Sequence, residues 1–149
     1  MLQELVLNPT DRVLEVGTGS GYMTALLARL GSRVYSVDIV PEFTQSAAGK
    51  LASHGISNAT LETGDAARGW PTRAPYDVIV LTGSTPVLPK ALLEQLSPGG
   101  RLFAVVGEGP VMVARLVTCS APGALRSVEL FDTLLAPLAN AEQPPRFIF

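Results

Sequence analysis

The stretch VLEVGTGSGY (residues 13–22) sets apolar residues around Glu15 and then places three glycines in five positions. A short apolar run that ends on glycine reads as a buried strand. A loop stripped of side chains admits positive φ and lets another group come close to the backbone. A strand that feeds such a loop and then a helix is the opening unit of a parallel α/β sheet.

The rest of the chain repeats the alternation. Arg12–Gly17 reads as a strand, Tyr22–Leu30 as a helix ended by Gly31, and Arg33–Asp38 as a second strand. Pro41 opens a helix running to about His54, which Gly55 stops. Ala59–Thr63 is a third strand, GWPTRAP a loop, and Tyr76–Leu81 a fourth strand. Pro86–Leu96 is expected as a helix, SPGG as a turn, and Arg101–Val106 as a fifth strand. Val111–Thr118 and Leu125–Leu135 follow without a helix between them, so they predict an antiparallel hairpin at one sheet edge. The ending LANAEQPPRFIF reads as irregular with an apolar end. The expected fold is α/β: a doubly wound, Rossmann-like, seven-stranded, mostly parallel sheet.

Composition agrees and excludes several classes. With 47% hydrophobic and 16% charged residues, the chain is apolar enough for strands buried on both faces. A length of 149 residues fits one core, so residues 1–149 are expected to form a single domain. No run reaches the ~18 apolar residues of a membrane span, and no basic segment followed by an apolar one opens the chain. The net charge of -2 with scattered Lys and Arg leaves no phosphate-backbone footprint, so no nucleic-acid partner is expected. The lone Cys119 has no intrachain partner and suits a reducing cytoplasm. His54, the only histidine, falls near a helix end and reads as solvated. No metal site is expected.

In an open α/β sheet the ligand sits beyond the carboxyl ends of the strands, where GTGSG falls. Dinucleotide loops space their glycines G-x-G-x-x-G; here they read G-x-G-x-G (Gly17, Gly19, Gly21), with Tyr22 at the third-glycine place and no P-loop lysine after it. Asp38 ends the second strand and, besides being an exposed strand-end acid, is placed to accept hydrogen bonds from a ribose diol. Asp65, beside Gly64 at the end of the third strand, is either a turn residue or an acceptor for an exocyclic adenine amine. A loop that avoids phosphate, a diol acceptor and an amine acceptor together describe a nucleoside without pyrophosphate, such as S-adenosylmethionine.

The segments VLEVGTGSGYMTALLARL, VYSVDIVP and GDAARGWPTRAPYDVIVLTGSTPVLPKALLEQLSPGGRL together resemble the protein-L-isoaspartate O-methyltransferases over about residues 5–107. The resemblance implies a class I methyltransferase that uses S-adenosyl-L-methionine, yields S-adenosyl-L-homocysteine and methylates isoaspartyl carboxylates in damaged proteins. It places Glu15, Gly17, Thr18, Gly19 and Gly21 around the methionine part of the cofactor. Asp38 and Ile39 go with the ribose, and Gly64, Asp65 and Ala66 with the adenine. Thr82 and Gly83 would lie near the transferring methyl, which makes Thr82 and Ser84 the candidate catalytic residues. Glu15 is expected to organise the loop rather than to act as a base. Ser84 and Thr85 read either as donors to a substrate carboxylate or as turn residues capping the helix from Pro86. Trp70 reads as a packing anchor.

The family's T-A-A-A-P appears here as TGSTP (Thr82–Pro86), and only 12 residues precede Val13, where the family carries a substrate-binding segment. The chain is therefore expected to start partway into a longer N-terminal region. An apolar patch left exposed there would favour a homo-oligomer. The alternative is a homologue that binds S-adenosylmethionine with another acceptor or none. A nucleic-acid amino-methyltransferase ranks lower, because LTGST stands where an Asn/Asp-Pro-Pro-aromatic motif is required. An NAD-dependent oxidoreductase is disfavoured by the glycine spacing.

Overall fold

The computed structural model describes residues 1–145. The apolar end read at 147–149 lies outside the described residues. A four-residue helix, α1 (Leu2–Leu5), leads into β1 (Arg12–Val16), α2 (Tyr22–Leu30), β2 (Arg33–Asp38), α3 (Pro41–Ser53) and β3 (Ala59–Thr63). After a 3-10 turn at Pro71–Arg73 come β4 (Tyr76–Thr85), α4 (Lys90–Glu94), β5 (Leu96–Glu108), β6 (Val111–Ala121) and β7 (Ala124–Asp132). The seven strands form one sheet in the order β3-β2-β1-β4-β5-β6-β7. The first five run parallel, and β6 and β7 add to β5 as antiparallel neighbours.

The central strands are apolar on both faces because both are covered. Val13, Val34, Val78, Val80 and Phe103 point to one side, where Leu5 of α1 and Leu27 of α2 pack. Leu14, Val37, Ile79, Leu81 and Leu102 point to the other, with Leu92 of α4 and Trp70. This period-two split places each residue of VLEV on alternate faces. β7 is exposed along nearly its whole length, as is usual for an uncovered edge strand.

Four sequence expectations are corrected at the β4–β5 crossover. β4 does not stop at Leu81 but continues to Thr85, because Ser84 and Thr85 pair with Val105 and Val106 of β5. The helix expected over Pro86–Leu96 shrinks to Lys90–Glu94, with Pro89 at its N-cap. Pro86 and Pro89 bias the residues before them away from helical backbone, so the helix starts only beyond both. Ser84 and Thr85 therefore cap no helix; their hydroxyls donate to the carbonyls of Leu135 (3.1 Å) and Val87 (2.7 Å). SPGG is not a turn between elements but a bulge within β5, between the pairs Tyr76–Leu96 and Val78–Arg101. Gly99 supplies the positive φ of 82° this needs. At the far edge, β7 ends at Asp132 rather than Leu135, and DTLLAP turns back toward β4.

Arg101 ties the chain's first residues to this sheet. Its guanidinium donates to the carbonyls of Leu5 and Val6 and to the Asp11 carboxylate, 2.7 Å away and largely buried. Arg101→Ala would leave Asp11 and both carbonyls without that donor. A loss of about 3 kcal/mol is expected in urea unfolding; a loss below about 1 kcal/mol would show that water replaces the guanidinium.

Candidate functional site

The strand order creates a switch point between β1 and β4. The β1-α2-β2 connection leaves to one side of β1, and the chain returns to β4 on the other, so the carboxyl ends of the two strands open a crevice. Glycine backbone builds its floor. Gly17 follows β1 with φ 103°, and a Cβ there would lie 2.1 Å from Thr82 Oγ1. Thr82 Oγ1 lies 3.0 Å from the Val16 carbonyl and 2.7 Å from that of Gly17, and its proton is shared between them. Gly19 sits with φ 52° and open space around its Cα. Gly21 instead serves packing, since a Cβ would meet Ala47 of α3 at 2.9 Å.

The acids arrive from the neighbouring strands. Asp38 ends β2; its Oδ2 accepts from the Gly19 N–H (3.0 Å) and its Oδ1 from the Val40 N–H (2.9 Å). Gly64 lies next to it, its N–H donating to the Asp38 carbonyl at 2.9 Å. Trp70 stacks so closely on Gly64 that a Cβ would approach its ring to 2.6 Å, which makes Trp70 the packing residue expected. Asp65 accepts from the Ala67 N–H at Oδ1 (3.1 Å) and from the Asn140 side-chain amide at Oδ2 (2.9 Å).

A cavity of about 140 Å³ brings Gly17, Asp38, Ile39, Gly64, Asp65 and Ala66 together. Other candidates stand behind it. Glu15 is fully buried and accepts from the hydroxyls of Ser36 (2.6 Å) and Thr24. Thr18 is buried too, its hydroxyl 2.6 Å from that of Ser36. Thr82 clamps the loop, and Ser84 is buried with its hydroxyl spent on Leu135. Three further wall residues, Pro137, Leu138 and Ala139, lie where the sequence assigned no helix or strand, the last two in the stretch read as irregular. Its single local signal is Asn140, which adopts a left-handed φ of 60°.

Burial pushes the Glu15 carboxyl from 4.5 up to about 7; hydrogen bonds from Ser36 and Thr24 oppose the rise and the Asp38 charge adds to it. Among the described residues its Oε2 has no hydrogen-bond partner. The folded chain thus keeps a proton that an unfolded carboxyl has released, so stability falls as pH rises from 4.5 through about 7. Glu15→Gln removes this titration. Between pH 5 and 8 the native chain is expected to lose on the order of 3 kcal/mol that the variant keeps. Urea midpoints at three pH values check this, and parallel slopes would contradict it.

Comparison with known proteins follows the same outline. The family model described as Protein-L-isoaspartate(D-aspartate) O-methyltransferase (PCMT) matches residues 1–143. The Protein-L-isoaspartate O-methyltransferase 1 of Anaeromyxobacter sp. (strain Fw109-5) is 45% identical over 143 residues, covering 95% of this chain and 68% of its own length. The Protein-L-isoaspartate O-methyltransferase of Myxococcus xanthus (strain DK1622) is 45% identical over 143 residues, with 94% and 68% covered. A solved protein-L-isoaspartate O-methyltransferase superimposes with a TM-score of 0.84 at 28% identity, covering 93% of this chain and 45% of the other. A putative one from Plasmodium falciparum, in complex with S-adenosyl-L-homocysteine, shares the fold with a TM-score of 0.75 at 22% identity, covering 92% and 70%.

Proposed function

Since the chain belongs to the protein-L-isoaspartate(D-aspartate) O-methyltransferase family, we propose that it binds S-adenosylmethionine at the β1–β4 switch point and methylates the carboxylate of isoaspartyl residues in proteins. The observation that carries the reading is the convergence of Gly17, Asp38 and Asp65 on one cleft. The donor set suits the cofactor. The backbone at Gly17 and Gly19 is bare enough for close approach, and two carboxylates stand at the places of a diol and an amine. Among the described residues no Arg or Lys lines the cavity, which favours a ligand without a pyrophosphate.

In this reading Asp38 accepts from the ribose hydroxyls and Ile39 covers the sugar. Asp65 and Ala66 hold the adenine. Gly17, Thr18, Gly19 and Gly21 shape the loop around the methionine end, and Thr82 keeps that loop against β4. When bound, the sulfonium supplies an electrophilic methyl group. The acceptor carboxylate is already a nucleophile, so the protein's contribution is alignment rather than proton removal. Glu15 fits this division: it is sealed behind the loop and organises Ser36 and Thr24 instead of facing an acceptor.

One observation favours the second reading, a cofactor-binding homologue with a different acceptor. Ser84, a candidate donor to the substrate, is buried and committed to the Leu135 carbonyl. The chain spans 68% of the length of the Anaeromyxobacter and Myxococcus relatives. A protein partner in the cytoplasm fits a free, buried Cys119 and the scattered basic residues. Among the described residues no helix is long and apolar enough to cross a membrane.

Two measurements test the proposal. Tritiated methyl from S-adenosylmethionine should transfer to an isoaspartyl peptide and not to its aspartyl isomer; transfer to neither would sink the acceptor assignment. Asp38→Ala should weaken S-adenosylhomocysteine binding by roughly 1–3 kcal/mol in calorimetry, the value of charge-assisted hydrogen bonds to the diol. An unchanged dissociation constant in a folded variant would contradict the ribose role.

A further inference from the structure

Beyond the end of β7 the chain crosses back over the carboxyl edge of the sheet. Pro137 pairs with Ser84 as a parallel bridge. The Ser84 N–H donates to the Ala136 carbonyl and the Leu138 N–H to the Ser84 carbonyl, both at 2.9 Å. Leu138 lies over the glycine floor: its side chain is 2.8 Å from where a Gly83 Cβ would be, and 3.7 Å from that of Gly17. Asn140 then donates from Nδ2 to Asp65 Oδ2 at 2.9 Å, and Arg68 Nε donates to the Asn140 carbonyl at 3.3 Å. Beyond it, Glu142 accepts from the Lys90 N–H at 3.1 Å, and Ala141 is buried.

The segment is thus fastened at four points: on β4, on Asp65, on Arg68 and on the start of α4. With it in place the cleft measures about 140 Å³, below the ~300 Å³ at which small-molecule pockets begin. The oxygen of Asp65 that faces the strap already accepts from Asn140, the same kind of hydrogen bond that an adenine amine would give it. Asn140 takes one of the acceptor positions of that oxygen, and it is covalently attached to the wall that narrows the site.

We propose that residues 136–142 form a strap over the nucleoside end of the cleft and that the Asn140–Asp65 hydrogen bond is its latch, which opens to admit the adenine of the cofactor. This rests on the adenine role of Asp65 given above. The strap state then lowers the apparent affinity by the fraction of molecules that are open. The β4 bridge at Ser84 is independent of the latch, so residues 136–138 stay fixed while opening also loosens the Arg68 and Lys90 contacts of residues 140 and 142.

The test uses Asn140→Gly, which keeps the left-handed backbone without cost and removes only the amide, and Asn140→Asp, which sets a carboxylate against Asp65. Hydrogen exchange without any ligand should show residues 139–142 exchanging faster in both variants, while the Leu138 amide on the Ser84 carbonyl stays protected. Stopped-flow and calorimetry with S-adenosylhomocysteine should show faster association and about three- to tenfold tighter binding for Asn140→Gly, the return from one released hydrogen bond. Unchanged exchange at 139–142 would overturn the latch. Weaker binding by Asn140→Gly would overturn it as well, by showing that Asn140 orients Asp65 for the ligand rather than competing with it. If neither the native chain nor the variants bind S-adenosylhomocysteine, the cofactor reading fails, while the exchange difference still decides whether the latch exists.

Discussion

The hydroxyl of Thr82 sits between the carbonyls of Val16 and Gly17, and the carboxyl edge of the sheet is organised around that contact. It joins the ends of β1 and β4, the two strands that meet at the switch point. It also leaves no room for a side chain at residue 17. The Gly17 N–H still donates to Val37 on β2, and the positive φ there then turns the chain out of the strand, so that the loop swings toward Asp38. A glycine at 17 is thus demanded twice, by backbone conformation and by the hydroxyl beside it.

A second, buried arrangement supports the first from below. Glu15 gathers the hydroxyls of Ser36 and Thr24, and Ser36 holds that of Thr18. This chain of contacts runs from β1 through β2 to the loop and the first turn of α2. Burying a carboxyl without an ion partner is costly unless it keeps a proton, as the upward shift in Glu15 shows. Placing such a group under the glycine loop exchanges stability at neutral pH for a fixed loop shape. Asp38 is handled differently: two backbone N–H groups satisfy it, and it stays at the rim.

Much of this was legible in the chain's order of residues. The ends of α2, β2 and β3 follow directly from glycine, proline and apolar runs, as the Tyr22–Leu30, Arg33–Asp38 and Ala59–Thr63 elements show. Gly17, Asp38 and Asp65 could be placed at one edge because each ends a strand of the same parallel sheet, and parallel strands present their carboxyl ends together. The β4–β5 crossover departs from its local pattern because its outcome is decided by partners far along the chain. Thr82–Thr85 has turn-like composition, yet Val105 and Val106 hold Ser84 and Thr85 in the sheet. The bulge at Ser97–Gly100 is likewise set by how Tyr76 and Val78 must pair on the other side.

What the sequence by itself determined is therefore the doubly wound frame and the identity of the loop and acids at its switch point, since these depend on local periodicity and on which residues tolerate a turn. What only the tertiary structure decided is the roof of the cleft. APLAN has no periodicity to read, and its place depends on the reach of β6 and β7, which bring the chain back beside Ser84 and set Asn140 on Asp65. Contacts between residues 65 and 140 cost loop-closure entropy and are fixed by the global path of the chain. No local pattern in either segment encodes them.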